Sequence, residues 1–243
     1  MYNEAIQAVH IELRETPQDV ARRAAEIIAG EARAGVARSG RFVLALSGGH
    51  TPWLMLRDLS GAGLPWPGIH IVQVDERVAP AGDPERNLTH LRESLLENAP
   101  LDPRQVHAMP VETADLEAAA AQYAETLRAV AGSPPVVDLA VLGLGLDGHT
   151  ASLVEGDPVL DVTDAEVAVT GPYRGTRRMT LTFPALNRSR RILWVVTGSP
   201  KAGMLVRLLD GDPSIPAGRI RRDRAVLIAN RDAAALARTR GVT

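Results

Sequence analysis

The chain has 243 residues, enough for one α/β domain with a sizeable core and short for two. Hydrophobic residues make up 45% and charged residues 23%, with a net charge of -2 and both signs interspersed, which excludes the one-sided basic surface that nucleic acid or an anionic membrane would demand. With no cysteine there are no disulfides, thiolate metal sites or cysteine nucleophile.

The opening Met1-Tyr2-Asn3-Glu4 lacks the basic start and apolar run of a secretion signal, and no stretch approaches the ~20 apolar residues of a membrane span, so the expected location is the cytoplasm. Thr16-Pro17 followed by Val20, Ala24, Ile27 and Ile28 combines a cap, a proline at the first helical position and apolar residues at helical spacing, which predicts an opening helix. Phe42-Val43-Leu44-Ala45-Leu46 is a continuous apolar run of strand length, read as a strand buried on both faces. The cadence returns at Ile69 to Val74, Val136 to Leu142 and Ile192 to Val196, with helical patterns at Leu88 to Leu96, Asp115 to Ala131 and Lys201 to Leu209 between them. Weaker strands are expected around Val167 to Thr170, Met179 to Thr182 and Val226 to Ile228, and a last short helix near Ala233 to Arg238. This alternation predicts one domain over 1–243, a modified Rossmann-like fold with a mostly parallel central sheet and helices on both faces.

In open α/β sheets ligands bind beyond the carboxyl ends of the strands, and each strong strand here runs into a loop of glycines, hydroxyls or charges. Ser47-Gly48-Gly49 leads into Thr51-Pro52, where Thr51 can cap a helix and Pro52 begin it; the glycines let backbone N–H groups approach an anion. The spacing is neither that of a P-loop nor that of the dinucleotide fingerprint, which disfavours a nucleotide. Asp75-Glu76-Arg77 reads either as an ion-pair cluster that pins its loop or as a guanidinium aimed at phosphate or a developing oxyanion. His149 lies in a glycine-rich loop, Gly143 to Leu153, two residues after Asp147, which could orient its ring; an imidazole so held can take a proton from water. His10, His70, His90 and His107 lack such a setting and read as structural. Thr197-Gly198-Ser199-Pro200-Lys201 opens a helix that Ser199 can cap. Lys201 is the one lysine among 27 basic residues and stands in the first turn, where the helix dipole disfavours a cation unless an anion is also bound. The basic run Arg219 to Arg224 reads as a solvated loop.

Together these residues resemble the 6-phosphogluconolactonase family, within the larger group that shares its fold with glucosamine-6-phosphate deaminase. The carriers are Ser47-Gly48-Gly49 with Thr51-Pro52, Asp75-Glu76-Arg77 with Asp83-Pro84 and Asn87, Gly143-Leu144-Gly145 with Asp147 to Leu153, Arg178 to Leu181 with Pro184, and Gly198 with Lys201, spanning about Leu44 to Leu209. The resemblance implies hydrolysis of 6-phosphoglucono-1,5-lactone in the oxidative pentose phosphate pathway without metal or organic cofactor. It implies His149 as general base with Asp147 and Arg77 in the catalytic set, and substrate or phosphate binding by Ser47, Gly48, Gly49, Thr51, Asp75, Arg178 and Lys201. The expected partner is a phosphosugar lactone, with neither nucleic acid nor membrane, and the expected state is a monomer or small homo-oligomer. In the deaminase branch an Asp at the position of Asp75 abstracts a sugar proton and a Glu five residues after the His assists ring opening; here that fifth residue is Val154. The chain departs from the lactonase pattern at Val154-Glu155, where Phe-Pro is common, and at Asn230, where Asp is frequent. A non-catalytic sugar-phosphate sensor is the third reading, although the chain shows no basic helix-turn-helix segment.

Overall fold

The computed structural model describes residues 9–239, so the expectation for Met1 to Glu4 lies outside the described residues. Its spine is a seven-stranded, all-parallel sheet in the order β1-β10-β9-β6-β2-β3-β5. These strands are β1 (His10–Arg14), β2 (Phe42–Leu46), β3 (Ile69–Gln73), β5 (Val106–His107), β6 (Leu139–Leu142), β9 (Arg191–Val196) and β10 (Ala225–Asn230). A small antiparallel sheet, β4 (Asp75–Arg77), β8 (Arg178–Leu181) and β7 (Val167–Val169), stands beside it.

The continuous apolar runs become strands covered on both sides. Phe42, Leu44 and Leu46 of β2 face one core, with α1 (Pro17–Ser39), α2 (His50–Ser60) and α3 (Asn87–Leu91). Val43 and Ala45 face the other, with α4 (Leu116–Ala131), α5 (Phe183–Asn187) and α6 (Ala202–Asp210). Each such Val or Leu buried in full contributes about 1.5–3 kcal/mol, which is why these runs hold the centre of the sheet between its two helical layers. A short α7 (Ala235–Arg238) closes the described chain.

The opening helix has the predicted cap. Thr16 Oγ1 accepts the Asp19 N–H at 3.2 Å, Asp19 Oδ2 accepts the Thr16 N–H at 3.2 Å, and Pro17 starts the helix; such a cap is worth about 1 kcal/mol. Two other capping expectations fail. Gly49, not Thr51, is the N-cap of α2, and the Thr51 hydroxyl pairs with that of Thr197 at 2.7 Å. Ser199 caps no helix with its side chain; it begins a single tight turn ahead of α6. The expected helix Leu88 to Leu96 divides into α3 and a wider π turn over Arg92–Leu96.

From β2 the chain moves outward to β3 and β5, then returns to place β6 on the other side of β2. The loops after β2 and β6 therefore flank the point where the connection order reverses, the crevice in which α/β sheets bind ligands. No helix among the described residues is long and apolar enough to cross a membrane.

Candidate active site

A cavity of about 420 Å³ opens at this crevice. Ser47, Gly48, Gly49, Thr51, Asp75, Arg77, His149, Arg178 and Lys201 all line it, so the structure brings together every predicted site residue except Asp147, which stands behind His149. His10, His70, His90 and His107 lie outside it; His70 Nδ1 and His107 Nε2 pair at 3.1 Å and His90 stacks on Trp53 at 3.7 Å.

The segment Asp75 to Arg77, expected as a loop, is a strand, because its backbone pairs antiparallel with β8 in the register Asp75 to Thr180, Glu76 to Met179 and Arg77 to Arg178. Successive strand residues face opposite ways, so Asp75 and Arg77 reach the cavity while Glu76 points into the protein. Glu76 is the pin foreseen for this motif, but it does not pin Arg77's guanidinium. Its carboxylate accepts N–H donors from Gln73 Nε2 at 2.9 Å and from the backbones of Arg77, Asn87 and Leu88 at 2.7–2.8 Å, and it meets Arg86 Nε at 3.3 Å. The guanidinium of Arg77 donates to the carbonyl of Glu85 and leaves its Nε without a partner.

Asp75 is held by Ser152, whose hydroxyl donates to Oδ2 at 2.7 Å, and by Asn87 Nδ2, 2.9 Å from the Asp75 carbonyl and 3.3 Å from Oδ1. Burial pushes the Asp75 pKa up, against the pull of Arg77, Ser152 and Arg178. Burial likewise depresses the pKa of Arg178, assisted by the charge of Arg77 directly opposite it. Like charges facing each other across an antiparallel pair destabilise it unless an anion sits between them. Burial also lowers the pKa of Lys201. Ser47 Oγ, Asn87 Oδ1, Arg77 Nε and Arg178 Nε are all buried without a hydrogen-bond partner at this one cavity. Such groups are costly unless a ligand meets them.

Gly48 shows how closely the cradle is built, since a Cβ on it would lie 1.9 Å from Asn87 Oδ1. The Gly48-Gly49 turn then delivers the N-terminus of α2 to the cavity, where its free N–H groups favour negative charge. On the far side, Gly198 N–H donates to Asn230 Oδ1 at 3.0 Å, which fixes the turn carrying Lys201. Asn230 thus works as an acceptor behind the site. Neither it nor Val154 nor Glu155 lines the cavity.

At the β6 end, His149 Nδ1 lies 2.5 Å from Asp147 Oδ1, and the Tyr173 hydroxyl donates to Oδ2 at 2.9 Å. Burial alone would raise the Asp147 pKa; the His149 ring and these hydrogen bonds outweigh it and bring it down to about 2. Ala151, with φ 52, holds the loop in a left-handed turn that a side chain rarely adopts, and it lines the cavity. Sequence reasoning missed Arg174, Thr197 and His50 as lining residues and Tyr173 as the partner of Asp147. For Arg174 the available signal was the arginine-rich run Arg174, Arg177 and Arg178.

The family described as glucosamine-6-phosphate isomerases/6-phosphogluconolactonase matches residues 15–229. The chain is 38% identical over 222 residues to a 6-phosphogluconolactonase of Mycobacterium tuberculosis, covering 86% of this chain and 90% of the relative. It is 34% identical over 231 residues to one of Streptomyces coelicolor, covering 84% and 87%. Among solved structures, a 6-phosphogluconolactonase from Thermotoga maritima superposes with a TM-score of 0.82 at 28% identity over 91% of this chain and 99% of that one. A monomeric glucosamine-6-phosphate deaminase reaches the same TM-score of 0.82 at 20% identity, over 93% and 99%, and shares the fold. By the extent of the family match and the identity to these relatives, the chain belongs to the glucosamine-6-phosphate isomerase/6-phosphogluconolactonase family.

Proposed function

We propose that the chain hydrolyses 6-phospho-D-glucono-1,5-lactone to 6-phospho-D-gluconate in the oxidative pentose phosphate pathway, with His149 as the general base. One observation carries this reading: a single cavity is lined both by His149, backed by the Asp147 carboxylate, and by four cations, Arg77, Arg174, Arg178 and Lys201. The cations and the Ser47-Gly48-Gly49 turn suit a phosphate dianion, and relatives at 34–38% identity bear the lactonase name.

A carboxylate only accepts, so the proton of the neutral imidazole sits on Nδ1 and Nε2 is left to take a proton from water. The hydroxide so formed adds to the lactone carbonyl carbon, and the carbonyl oxygen becomes an oxyanion that Arg77 and its neighbouring cations stabilise. Collapse of this tetrahedral intermediate breaks the bond to the ring oxygen. The ring oxygen leaves as the C5 hydroxyl, taking the proton back from His149, while Asp147 supports the imidazolium in between. The δ-lactone is an activated ester, so base, oxyanion partner and positioning suffice. We place this enzyme in the cytoplasm as a monomer or small homo-oligomer that binds neither nucleic acid nor membrane, its domain spanning 1–243.

Asp75 favours a second reading, since a buried carboxyl with a raised pKa in the same cavity is also suited to proton abstraction from an amino sugar phosphate. Val154, five residues after His149, supplies no carboxylate for ring opening and does not line the cavity. The two readings separate in paired assays, lactone loss above its spontaneous hydrolysis and ammonia release from glucosamine 6-phosphate. Activity in the first alone is expected, with a loss of at least about a hundredfold in His149→Ala; ammonia release would move the chain to the second reading.

A further inference from the structure

The connection from β7 to β8 turns back in a tight two-residue hairpin. Arg174 at φ 52 and Gly175 at φ 83 both occupy the left-handed region, and Tyr173 and Thr176 exchange backbone hydrogen bonds of 3.1 and 3.3 Å. This backbone matches the twist of its flanking segments and projects from them with a fixed register. Tyr173 is thereby set against the base. Its hydroxyl donates to Asp147 Oδ2 at 2.9 Å, its ring meets the His149 ring edge-on at 5.6 Å and 64°, and the Arg178 guanidinium lies 4.9 Å above its centroid.

We infer that Tyr173 is a positioning residue for His149, acting through Asp147. Both His149 donors to Asp147, Nδ1 at 2.5 Å and the backbone N–H at 3.2 Å, fall on Oδ1. A carboxylate held through one oxygen can turn about its Cβ–Cγ bond, and Asp147, with its side chain 41% exposed, has solvent to turn into. The Tyr173 hydroxyl takes the other oxygen and so fixes the carboxylate plane. With that plane fixed, the imidazole proton stays on Nδ1 and Nε2 stays bare toward the cavity. Burial and the bond to Asp147 both push the Tyr173 pKa up, so the phenol keeps the proton it donates. The inference rests on His149 being the base. The hairpin ties that base to the anion side of the site, since the same ring carries Arg178.

The variant Tyr173→Phe keeps the ring and its packing and removes only the donor. It is expected to lose about tenfold in kcat, the worth of one hydrogen bond to a charged group, with KM within about twofold. Nitrogen-15 spectra of the imidazoles are expected to show His149 in the Nδ1–H form in the wild type and a mixture of both tautomers in the variant. In an Asp147→Asn background the same change should cost less than about twofold, because the two residues act as one unit. An unchanged tautomer, a rise in KM alone, or a loss that adds fully to that of Asp147→Asn would each overturn the inference. The spectra need no substrate, so a tautomer shift in a protein without lactonase activity would sink the proposed reaction and leave the positioning role standing.

Discussion

Gly145 packs so tightly under the His149 ring that a Cβ on it would lie 2.1 Å from Nδ1 and 2.6 Å from Asp147 Oδ1. The bare backbone at this position is what allows imidazole and carboxylate to meet. Gly145→Ala is therefore expected to push the pair apart while leaving the sheet intact. Its cost should approach that of losing the base, at least about a hundredfold in kcat. Steady-state kinetics beside a far-ultraviolet dichroism spectrum checks both halves of the claim.

The buried pair Ser152 and Asp75 makes a stability prediction. Ser152 is fully buried and its hydroxyl gives Asp75 a charge-assisted hydrogen bond of 2.7 Å. Ser152→Ala should cost about 1.5–3 kcal/mol. Urea denaturation should show a lower midpoint at an unchanged slope; a midpoint equal to wild type would show that Asp75 does not depend on this donor.

Asp75 also sets a pH dependence. Because burial raises its pKa, the native state holds this proton more tightly than the unfolded chain does. Its contribution to stability therefore falls as pH rises from the unfolded carboxylate value of 3.8 through the raised native value. In Asp75→Asn that loss disappears. The difference in Tm, variant minus wild type, should grow across this window and level off above it. A difference that is flat or shrinks with pH contradicts the assignment.

At Lys201 the sign is set by a cation. Burial depresses its pKa, so the ammonium is lost at a lower pH than for a free lysine. The wild-type KM is expected to rise on the alkaline side, where the cation disappears. Lys201→Ala should show a KM raised by roughly 10–100-fold, the worth of a charged hydrogen bond, and no such alkaline rise. Protection against thermal unfolding by 6-phosphogluconate should weaken in parallel.

The central sheet was legible because its strands are apolar runs with a chemically distinct loop at each carboxyl end, and those loops named most of the cavity wall. The edge strands were not: His10–Arg14 and Val106–His107 are short and polar, and only the neighbours they pair with make them strands. Asp75 to Arg77 carries no strand signal of its own and owes its conformation to β8, about a hundred residues downstream. Thr51 looked like a cap because a hydroxyl before a proline usually is one, whereas here it spans to Thr197. Tyr173 gave no local signal, since its role depends on a turn that carries it back across 26 residues to Asp147.

The opposite facing of Asp75 and Glu76 separates two kinds of evolutionary freedom within two adjacent residues. Glu76 is committed to the frame, with four N–H donors and an arginine drawn onto one buried carboxylate, and a change there would loosen β4 and α3 together. Asp75 faces the cavity and is held there by Ser152 and Asn87, with fewer ties to the frame than Glu76 has. Selection can retune the chemistry at one position while its neighbour keeps the scaffold standing, and a fold with this division of labour is suited to hosting more than one reaction on phosphorylated sugars.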